Sequence, residues 1–447
     1  MTIEPTTGDG LNRVLGLSAA VRFGLSYMIP LTVFTTLGIV NTMTEGHIIS
    51  AYWVTLVAML FTALSYAFMS RSVPRAGSAY AYASHAFGSR IGFLSGWTLL
   101  LDYLLMPTIT YLVIGLYLNA ALPAVPFWVW VVGSIALVTV FTVLGITVVS
   151  GLSSVLLLLQ IAFLLVFAVL TVRSAAGTPL PSLGDTLFGT GPGAGPLFAG
   201  AAILCLSFLG FDAVSTLAEE TVDAKSVIPK AIVLVTLIGG LLFIAISYLC
   251  VIGFPDWQHY TDADSASLDV MSRVGGSFLS NFFTAAYVAG CFGAVLASQT
   301  SVARILFAMG RDGTLPRKFA DLHPRFRTPW LSAIVVGAIG LLALVLSLTL
   351  VTSLISFGSL VAFTAVNAAV IKHYVIDQNR RDPRSLACYL ALPLVGLALC
   401  LWLWTSLSVD AFVIGIPWML AGTVVLVISA RSGRTKAPNF DTAVQLS

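Results

Sequence analysis

The sequence predicts an all-α membrane protein with twelve transmembrane helices. Of its 447 residues, 58% are hydrophobic and only 9% are charged, whereas soluble domains carry about 25% charged residues. Apolar runs long enough to cross about 30 Å of hydrocarbon recur along nearly the whole chain. The approximate ranges of the twelve runs are 19–42, 50–70, 92–120, 127–148, 152–172, 197–219, 230–253, 276–307, 329–350, 352–373, 387–407 and 410–430.

The basic residues predict that both termini face the cytoplasm. With twelve spans and a cytoplasmic N-terminus, all of the 22 Lys and Arg residues except Arg173 and Arg273 fall in cytoplasmic segments. This bias is the positive-inside rule, and it emerges only with the correct number of spans. The formal net charge of +3 therefore reflects topology and gives no reason to expect a nucleic-acid partner. An irregular loop at 174–196 and an acidic loop at 254–273, either cation-attracting or merely solvated, are expected on the outer side.

Two interrupted spans predict inverted repeats within a single polytopic domain. The first span is interrupted at Pro30 in SYMIPLTVFTTLG, and the sixth, five spans later, at Gly210 in SFLGFD. Paired broken helices at corresponding positions are the sequence pattern of inverted-repeat transporters, whose sites lie near the membrane midplane. Within the domain 1–447, the predicted repeats are 19–172 and 197–373, and two appended helices occupy 387–430.

The charges predicted to lie inside the membrane are carboxylates. Asp102 lies in the third span, and Asp212 directly follows the break in the sixth. Glu219 and Glu220 lie at the cytoplasmic end of the sixth span. No Lys or Arg is expected deep in a span, because Arg304 is near enough to the inner face to extend its side chain to the surface. Fixed anions without a fixed cation predict a site for a cationic substrate, a translocated proton, or both.

Each acid also has a structural interpretation. Asp102 can be held by hydroxyl groups of neighbouring helices, or it can couple ion movement to transport. Asp212 can accept hydrogen bonds from backbone N–H groups that the helix break leaves free, or it can contact a substrate. The two glutamates can form a solvated helix end, paired with Lys225 or Lys230. The sequence leaves these alternatives open.

Hydroxyl and aromatic side chains near the breaks form a second set of candidates. Thr32, Thr35 and Thr36 follow Pro30, and a kink at this proline can present their hydroxyl groups to a ligand. Most tyrosines of the third span are expected to be packing residues, although one that faced a cavity would hold an amine by a cation–π contact.

Five motifs occur in an order that characterises one family. They are PRAGSAYAY (74–82), FLGFDAVSTLAEET (208–221), VIPKAI (227–232), SVARILFAMGRDGTLP (301–316) and FGSLVAFTAVN (357–367). Over nearly its whole length the chain therefore resembles the amino acid–polyamine–organocation (APC) transporters. Further stretches look closest to the bacterial putrescine-importer branch, namely IPLTVFTTLGIV (29–40), GWTLLLDYLLMP (96–107), VPFWVWVV (125–132) and SFLGFDAVSTLAEET (207–221).

The resemblance implies a LeuT-like fold, a 5+5 inverted repeat with broken helices 1 and 6 and two C-terminal helices. It places the substrate between the breaks of spans 1 and 6 and spans 3 and 8. The implied substrate-binding residues are Pro30, Thr32, Thr35, Thr36, Thr108, Tyr111, Ser207, Phe208, Phe211, Asp212 and Ser298. The candidate proton-coupling residues are Asp102, Asp212 and Glu220.

Three positions depart from the patterns that this resemblance implies. Amino-acid carriers of the group commonly have a glycine-rich first break that binds the substrate carboxylate, whereas this chain has PLTVFTT. The putrescine branch implies an acid near Thr35, where this chain has a hydroxyl group. Proton-coupled relatives often have a lysine in the fifth span, where this chain has Gln160. Because Gln160 cannot titrate, one of the interior acids would have to carry the proton.

Together these features imply a secondary active transporter that imports an organic amine, such as putrescine or a related monoamine, across the bacterial inner membrane. Protons are the expected coupling ion, with sodium as a second candidate. The alternative is an importer or exchanger of a cationic or neutral amino acid. A passive channel and a membrane enzyme are further alternatives, but no HExxH, GxSxG or P-loop motif is present. No cofactor is expected, and the five cysteines have no metal-type spacing.

Overall fold

In the computed structural model, the described part of the chain is built from helices. It comprises residues 13–176, 193–261, 266–313, 315–405, 407 and 409–431. Most of the predicted outer loop 174–196 lies outside these residues, as do Asp262 and Asp264 of the predicted acidic loop.

Eleven described helices are long and apolar enough to cross a membrane, and a shorter apolar helix, Trp330–Leu344, lies between the eighth and ninth of them. Trp330–Leu344 corresponds to the predicted ninth span, but its length of about 24 Å falls short of about 30 Å of hydrocarbon. In chain order the helices are α1 (Leu17–Met43), α2 (Ile48–Ser72), α3 (Ser89–Asn119), α4 (Phe127–Leu144), α5 (Ile146–Ser174), α6 (Ala194–Glu220), α7 (Ala224–Gly253), α8 (Ala266–Arg311), α9 (Trp330–Leu344), α10 (Leu350–Asp377), α11 (Pro383–Trp404) and α12 (Val409–Val427).

Helix α1 is interrupted next to the predicted proline. Its first segment ends at Met28, a turn of 3₁₀ helix covers Pro30–Thr32, and the second segment begins at Val33. Ile29 has φ +50° and ψ +92°. A residue that precedes proline is sterically disfavoured in the α conformation, so the chain leaves the helix one residue before Pro30.

Helix α6 is interrupted at the predicted glycine. A regular helix over Ala194–Leu204 is followed by a 3₁₀ turn at Cys205–Phe208. Gly210 then adopts φ +123°, and the chain continues as 3₁₀ helix over Asp212–Glu220. The unwound stretch leaves backbone groups without helical partners in the middle of the membrane span, where they need substitutes.

The helices pack in pairs that correspond between the two halves of the chain. α3 packs on α10 and α8 packs on α5; α1 packs on α7 and α6 packs on α2; α3 packs on α4 and α8 packs on α9. Adding five to a helix number of the first half, or subtracting five from one of the second half, converts each pair into its counterpart. For example, α3 with α10 becomes α8 with α5. A short helix after α2, Ser78–Phe87, packs on α3 and α10 and is called the loop helix below.

The outside of the bundle is apolar, as expected for contact with lipid. On α5, Val155, Leu158, Leu165 and Val169 are each more than half exposed, and their spacing places them on one side of the helix. The buried side of the bundle holds aromatic clusters, including Phe34 in edge-to-face contact with Phe163, Phe167 and Phe283. The interior also holds the charged and hydroxyl side chains discussed below.

Candidate functional site

The two helix breaks meet at a contact between Gly210 and Tyr27. A Cβ atom on Gly210 would lie 2.6 Å from Cδ1 of the Tyr27 ring, which is too close for a real contact. Tyr27 lies two residues before Ile29, so the ring belongs to the break of α1. Gly210 is therefore required twice, for its positive φ angle and for this close approach.

Asp212 is held by two partners at the break of α6. Its Oδ1 accepts a hydrogen bond of 3.2 Å from the backbone N–H of Gly210. Its Oδ2 accepts a hydrogen bond of 2.5 Å from the hydroxyl of Tyr103 on α3. The carboxylate thus replaces a lost helical partner, as one of the two sequence-based interpretations predicted, and it also attaches α3 to the broken helix.

Asp102 is buried one residue before Tyr103 and has a different environment. Its carboxylate makes no hydrogen bond or ion pair within the described residues. Gly358 of α10 packs directly against it, since a Cβ there would lie 3.0 Å from the Asp102 Cβ. Asp102 is close enough to Asp212 for the two carboxylates to interact electrostatically. No neighbouring hydroxyl group holds Asp102 within the described residues, in contrast to the structural interpretation.

Tyrosine and phenylalanine rings surround this pair of acids. Tyr66 and Tyr82 are both close enough to Asp212 to interact with it electrostatically. Their buried hydroxyl groups have no hydrogen-bond partner within the described chain. The Tyr66 ring meets the edge of Phe211 at a centroid distance of 5.6 Å. Phe211 in turn stacks on Phe363 of α10 at 5.4 Å. The two acids therefore lie in a region rich in buried aromatic side chains.

The three threonines after the α1 break donate hydrogen bonds to their own helix. Thr32 donates to the Met28 carbonyl at 3.3 Å, and Thr35 donates to the Thr32 carbonyl at 2.7 Å. Thr36 donates to the Val33 carbonyl at 3.3 Å. The proton of such a hydroxyl group is engaged in a hydrogen bond, while its oxygen lone pairs remain able to accept one. In this arrangement these side chains can accept a hydrogen bond from an ammonium group, whereas donation to a carboxylate would require a hydroxyl to give up its helical carbonyl.

Ser207 and Phe208 lie in the 3₁₀ turn of α6. The Ser207 hydroxyl is buried without a partner within the described chain, beside Tyr52 of α2. Phe208 is fully buried and meets the edge of Phe243 of α7 at 5.3 Å. Ser207 is therefore an unpartnered polar group at the break, whereas Phe208 packs the break against α7.

The remaining predicted binding residues are less directly connected to the acids. The Tyr111 hydroxyl donates to Gln299 Oε1, and Gln299 is also bonded to Thr139 and Ala333. Tyr111 thus connects α3 with α4, α8 and α9, and the structure does not bring its hydroxyl to the helix breaks. Thr108 and Ser298 are buried and donate to carbonyl groups of their own helices.

The prediction that Arg304 extends to the membrane surface was wrong. Its guanidinium is buried, forms an ion pair with Glu220, and donates to the Thr300 carbonyl at 2.8 Å. The predicted pairing of the glutamates with Lys225 or Lys230 is absent from the described ion pairs. In this structure Glu220 is therefore paired with a buried guanidinium group and not with a lysine.

Glu219 belongs to a polar network next to the Glu220–Arg304 pair. It accepts hydrogen bonds of 2.8 and 2.9 Å from Arg311 of α8 and one of 3.1 Å from the backbone N–H of Ala76. The backbone of Val14 and Leu15 donates to the Glu220 carbonyl, both at 2.9 Å. These bonds join the segment before α1, the end of α6, the end of α8 and the segment before the loop helix. The face of the bundle where they lie, at which α1 begins, is called the terminal face below.

A crevice of about 490 Å³ lies between the first segment of α6 and helix α10. Its lining is mostly apolar and reaches Leu209 and Phe363, next to the aromatic enclosure of the acids. Three hydroxyl residues of α10, Thr352, Ser356 and Ser359, contribute polarity. By contrast, the corresponding helices of the first half, α1 and α5, are packed on each other.

Gln160 is buried between α5 and α8. Both of its amide atoms lack a hydrogen-bond partner within the described residues, and a Cβ on Gly290 would lie 2.8 Å from its Oε1. The position where the family resemblance implied a lysine thus holds a neutral side chain that is tightly packed against a glycine of α8.

Sequence reasoning did not identify Tyr27, Tyr66 or Tyr82 as site residues. Tyrosines in apolar helices are usually packing residues, and the spacing of these three in the chain does not distinguish them from others. Their place around Asp212 is set by the contacts of α1, α2 and the loop helix with the break of α6.

Comparisons with known proteins agree with this architecture. A family model described as amino acid permease matches residues 15–436. The chain is 38% identical over 436 residues to the low-affinity putrescine importer PlaP of Escherichia coli, with 96% of each chain covered. It is 27% identical over 457 residues to the branched-chain amino acid permease BcaP of Bacillus subtilis, with 96% of each covered. It is 28% identical over 451 residues to the methylthioribose transporter of Bacillus subtilis, with 94% of each covered.

The family model and the relatives, which are named as transporters, identify this multi-pass bundle as a membrane transporter and not an enzyme. The chain belongs to the amino acid permease family of the APC superfamily. The family resemblance deduced from the five motifs is thereby confirmed.

Proposed function

We propose that this protein is a secondary active transporter that imports a small organic amine across the bacterial inner membrane. Putrescine or a related monoamine is the proposed substrate, and protons are the proposed coupling ion. The 38% identity to a putrescine importer supports the substrate class.

The observation that carries the proposal is the pair of buried carboxylates, Asp102 and Asp212, without a basic side chain bonded to either within the described residues. Arg304 is the buried basic residue of the described chain, and it is already paired with Glu220. A buried carboxylate is costly to keep ionised unless it is paired. An ammonium group or a proton would supply the missing positive charge.

The other groups around the acids suit an amine. Tyr66, Tyr82 and Phe211 offer aromatic faces, which attract ammonium groups by cation–π interaction and also cover apolar methylene groups. The threonine hydroxyl groups of α1 accept but do not donate, which favours N–H donors over a substrate carboxylate. A monoamine would neutralise one acid and leave the other for a proton, whereas a diamine would use both negative charges.

Alternating access between two inverted repeats of a LeuT-like fold is the proposed mechanism. The corresponding helix pairs of the two halves support such repeats. The crevice between α6 and α10, opposed to the packed α1–α5 pair, supports a conformation in which one route is open and the other is closed. In this proposal both termini are cytoplasmic, so the ion pairs of the terminal face close the cytoplasmic route.

Import or exchange of a cationic or neutral amino acid is the second candidate function. The 27% identity to a branched-chain amino acid permease along the whole chain favours it. Such a substrate needs donors for its carboxylate, and the unwound backbone at Gly210 is the place that could supply them.

The test is uptake of radiolabelled amines into proteoliposomes with an imposed pH gradient. Wild-type protein should show saturable putrescine uptake and counterflow, which distinguish a carrier from a channel. Asp102→Asn and Asp212→Asn should each lower uptake at least tenfold while the protein remains monodisperse in detergent. Asp410→Asn, which alters an exposed carboxylate on α12, is the matched control and should retain wild-type rates.

Several outcomes would overturn the proposal. Wild-type rates in both interior variants would remove the role of the acids. Saturable uptake of leucine but of no amine would favour the second candidate function. If uptake responded to a sodium gradient but not to a pH gradient at constant membrane potential, sodium and not the proton would be the coupling ion.

A further inference from the structure

An apolar groove between α2 and α7 ends in two cationic side chains. It has a volume of about 420 Å³. Leu64, Phe68, Val233 and Leu234 form its apolar walls. Arg71, in the last turn of α2, and Lys230, in the second turn of α7, line the same groove.

Arg71 and Lys230 have no anionic partner in the described structure. Both side chains are exposed, and neither takes part in an ion pair or a hydrogen bond with another described residue. Two cations that converge without an intervening carboxylate favour binding of an anion with several oxygen atoms.

The groove continues into exposed apolar strips on both helices. On α7, Leu237, Ile238 and Leu241 are between 37% and 45% exposed. On α2, Val57 is 48% exposed. The rise of α7 from Lys230 to Leu241 is about 16 Å, which matches the thickness of about 15 Å of one leaflet of the hydrocarbon.

We propose that this groove is a binding site for an anionic phospholipid of the surrounding membrane. The lipid phosphate lies between Arg71 and Lys230, and an acyl chain lies along Leu234 and the apolar strips. Basic pockets between helices at the membrane surface are a recognised form of headgroup site. Cationic side chains at one end, with an apolar surface that extends over the thickness of one leaflet, match a phospholipid better than a soluble anion or a peptide.

The site has a structural consequence for the bundle. α2 and α7 both pack against the broken helices, α7 on α1 and α2 on α6. A lipid that bridges the ends of α2 and α7 would stabilise their packing against each other. The inference does not depend on the substrate and stands or falls separately from the proposed transport function.

The experiment measures lipid binding to the purified full-length protein. Native mass spectrometry and thermal unfolding are followed while phosphatidylglycerol or phosphatidylcholine is titrated into delipidated protein. Arg71→Gln/Lys230→Gln removes the cations, and Leu234→Trp fills the groove without changing charge. Arg381→Gln/Arg384→Gln removes two exposed cations around the start of α11 and is the matched control.

We expect phosphatidylglycerol to bind and to raise the unfolding temperature at concentrations at least tenfold below phosphatidylcholine. Arg71→Gln/Lys230→Gln and Leu234→Trp should each weaken phosphatidylglycerol binding at least tenfold, and the control should leave it unchanged. Equal effects of the two lipids, or undiminished binding by both groove variants, would overturn the proposal. The same stabilisation by inorganic phosphate would also overturn it, because the site would then bind a free anion.

Discussion

The hydroxyl of Tyr103 donates a hydrogen bond of 2.5 Å to Oδ2 of Asp212, and this bond joins residues 109 positions apart in the chain. The tyrosine lies on the continuous helix α3, whereas the aspartate lies at the unwound part of α6. The bond therefore fixes the orientation of the carboxylate relative to a rigid helix. Asp102, one residue earlier on α3, lies near enough to the same carboxylate to interact with it electrostatically.

Replacement of Tyr103 by phenylalanine tests this orientation. Loss of a hydrogen bond to a charged group costs about 1.5–3 kcal/mol, so we expect kcat/KM for amine uptake to fall by tenfold or more. Tyr117→Phe is the control, because Tyr117 lies on the same helix and contacts Tyr287 at 4.8 Å. Equal activity of the two variants would show that the Tyr103 hydroxyl does not position Asp212.

Replacement of Gly210 by alanine should disable the broken helix. The left-handed conformation costs a residue with a side chain about 1–2 kcal/mol, and the clash with Tyr27 adds about 1–3 kcal/mol. We expect a lower unfolding temperature and loss of uptake. Gly195→Ala is the matched control on α6, since a Cβ there meets open space. A Gly210→Ala variant as stable and active as Gly195→Ala would contradict the proposed strain.

Removal of one partner of the buried Glu220–Arg304 pair should destabilise the protein strongly. Glu220→Gln leaves Arg304 as an uncompensated buried charge, which costs about 3–5 kcal/mol. Asp377→Asn is the control, because the Lys372–Asp377 pair is 33% and 43% exposed and such pairs contribute about 0–1 kcal/mol. Denaturation by sodium dodecyl sulfate measures both.

The double variant Glu220→Leu/Arg304→Leu extends this test. It removes both charges together, so we expect it to recover much of the stability lost in Glu220→Gln. If Glu220→Gln were no less stable than Asp377→Asn, the pair would not be effectively buried.

Acidic pH should weaken the packing of the loop helix. Burial, and secondarily the nearby Arg75, lower the pKa of His85 below its usual value of 6.5. The His85 ring also lies 4.9 Å from the ring of His373 on α10. Because the folded state favours neutral His85, its contribution to stability is present above pH 6.5 and is lost as the pH falls through the lowered pKa.

Thermal unfolding between about pH 7.5 and pH 5 checks this sign. His85→Gln should lose part of the wild-type decrease in unfolding temperature, whereas His259→Gln should retain it, because His259 lies on an exposed loop beside Asp256. An identical decrease in wild type and His85→Gln would exclude this histidine as the cause.

Much of the fold could be predicted from local properties of the sequence. Long apolar runs determine which segments lie in the membrane, because hydrocarbon excludes unpaired backbone groups and charges. Pro30 and Gly210 marked both breaks, since each acts through its own backbone. Trp330–Leu344 is the exception in the membrane pattern, because composition alone does not show where the helix ends inside an apolar run.

The partners of the charged residues could not be predicted in the same way. Arg304 lies near a span end, and its sequence position is compatible with extension to the surface or with burial. The pairing with Glu220, 84 positions earlier, depends on how α6 and α8 approach each other. Tyr103 and Tyr111 lie on the same helix but have different partners. Tyr103 bonds to Asp212 of α6, whereas Tyr111 bonds to Gln299 of α8.

The sequence by itself determined the membrane class, the two breaks, the presence of interior acids and the family, since each follows from residues near one another or from motifs in order. Only the tertiary structure decided that Asp212 is held by Tyr103 and Gly210, that Asp102 is without such partners in the described chain, and that Arg304 neutralises Glu220. The physical reason is that hydrophobicity and helix breaking act along the chain. Hydrogen bonds and ion pairs between side chains instead require atoms from distant segments to come within about 3 Å.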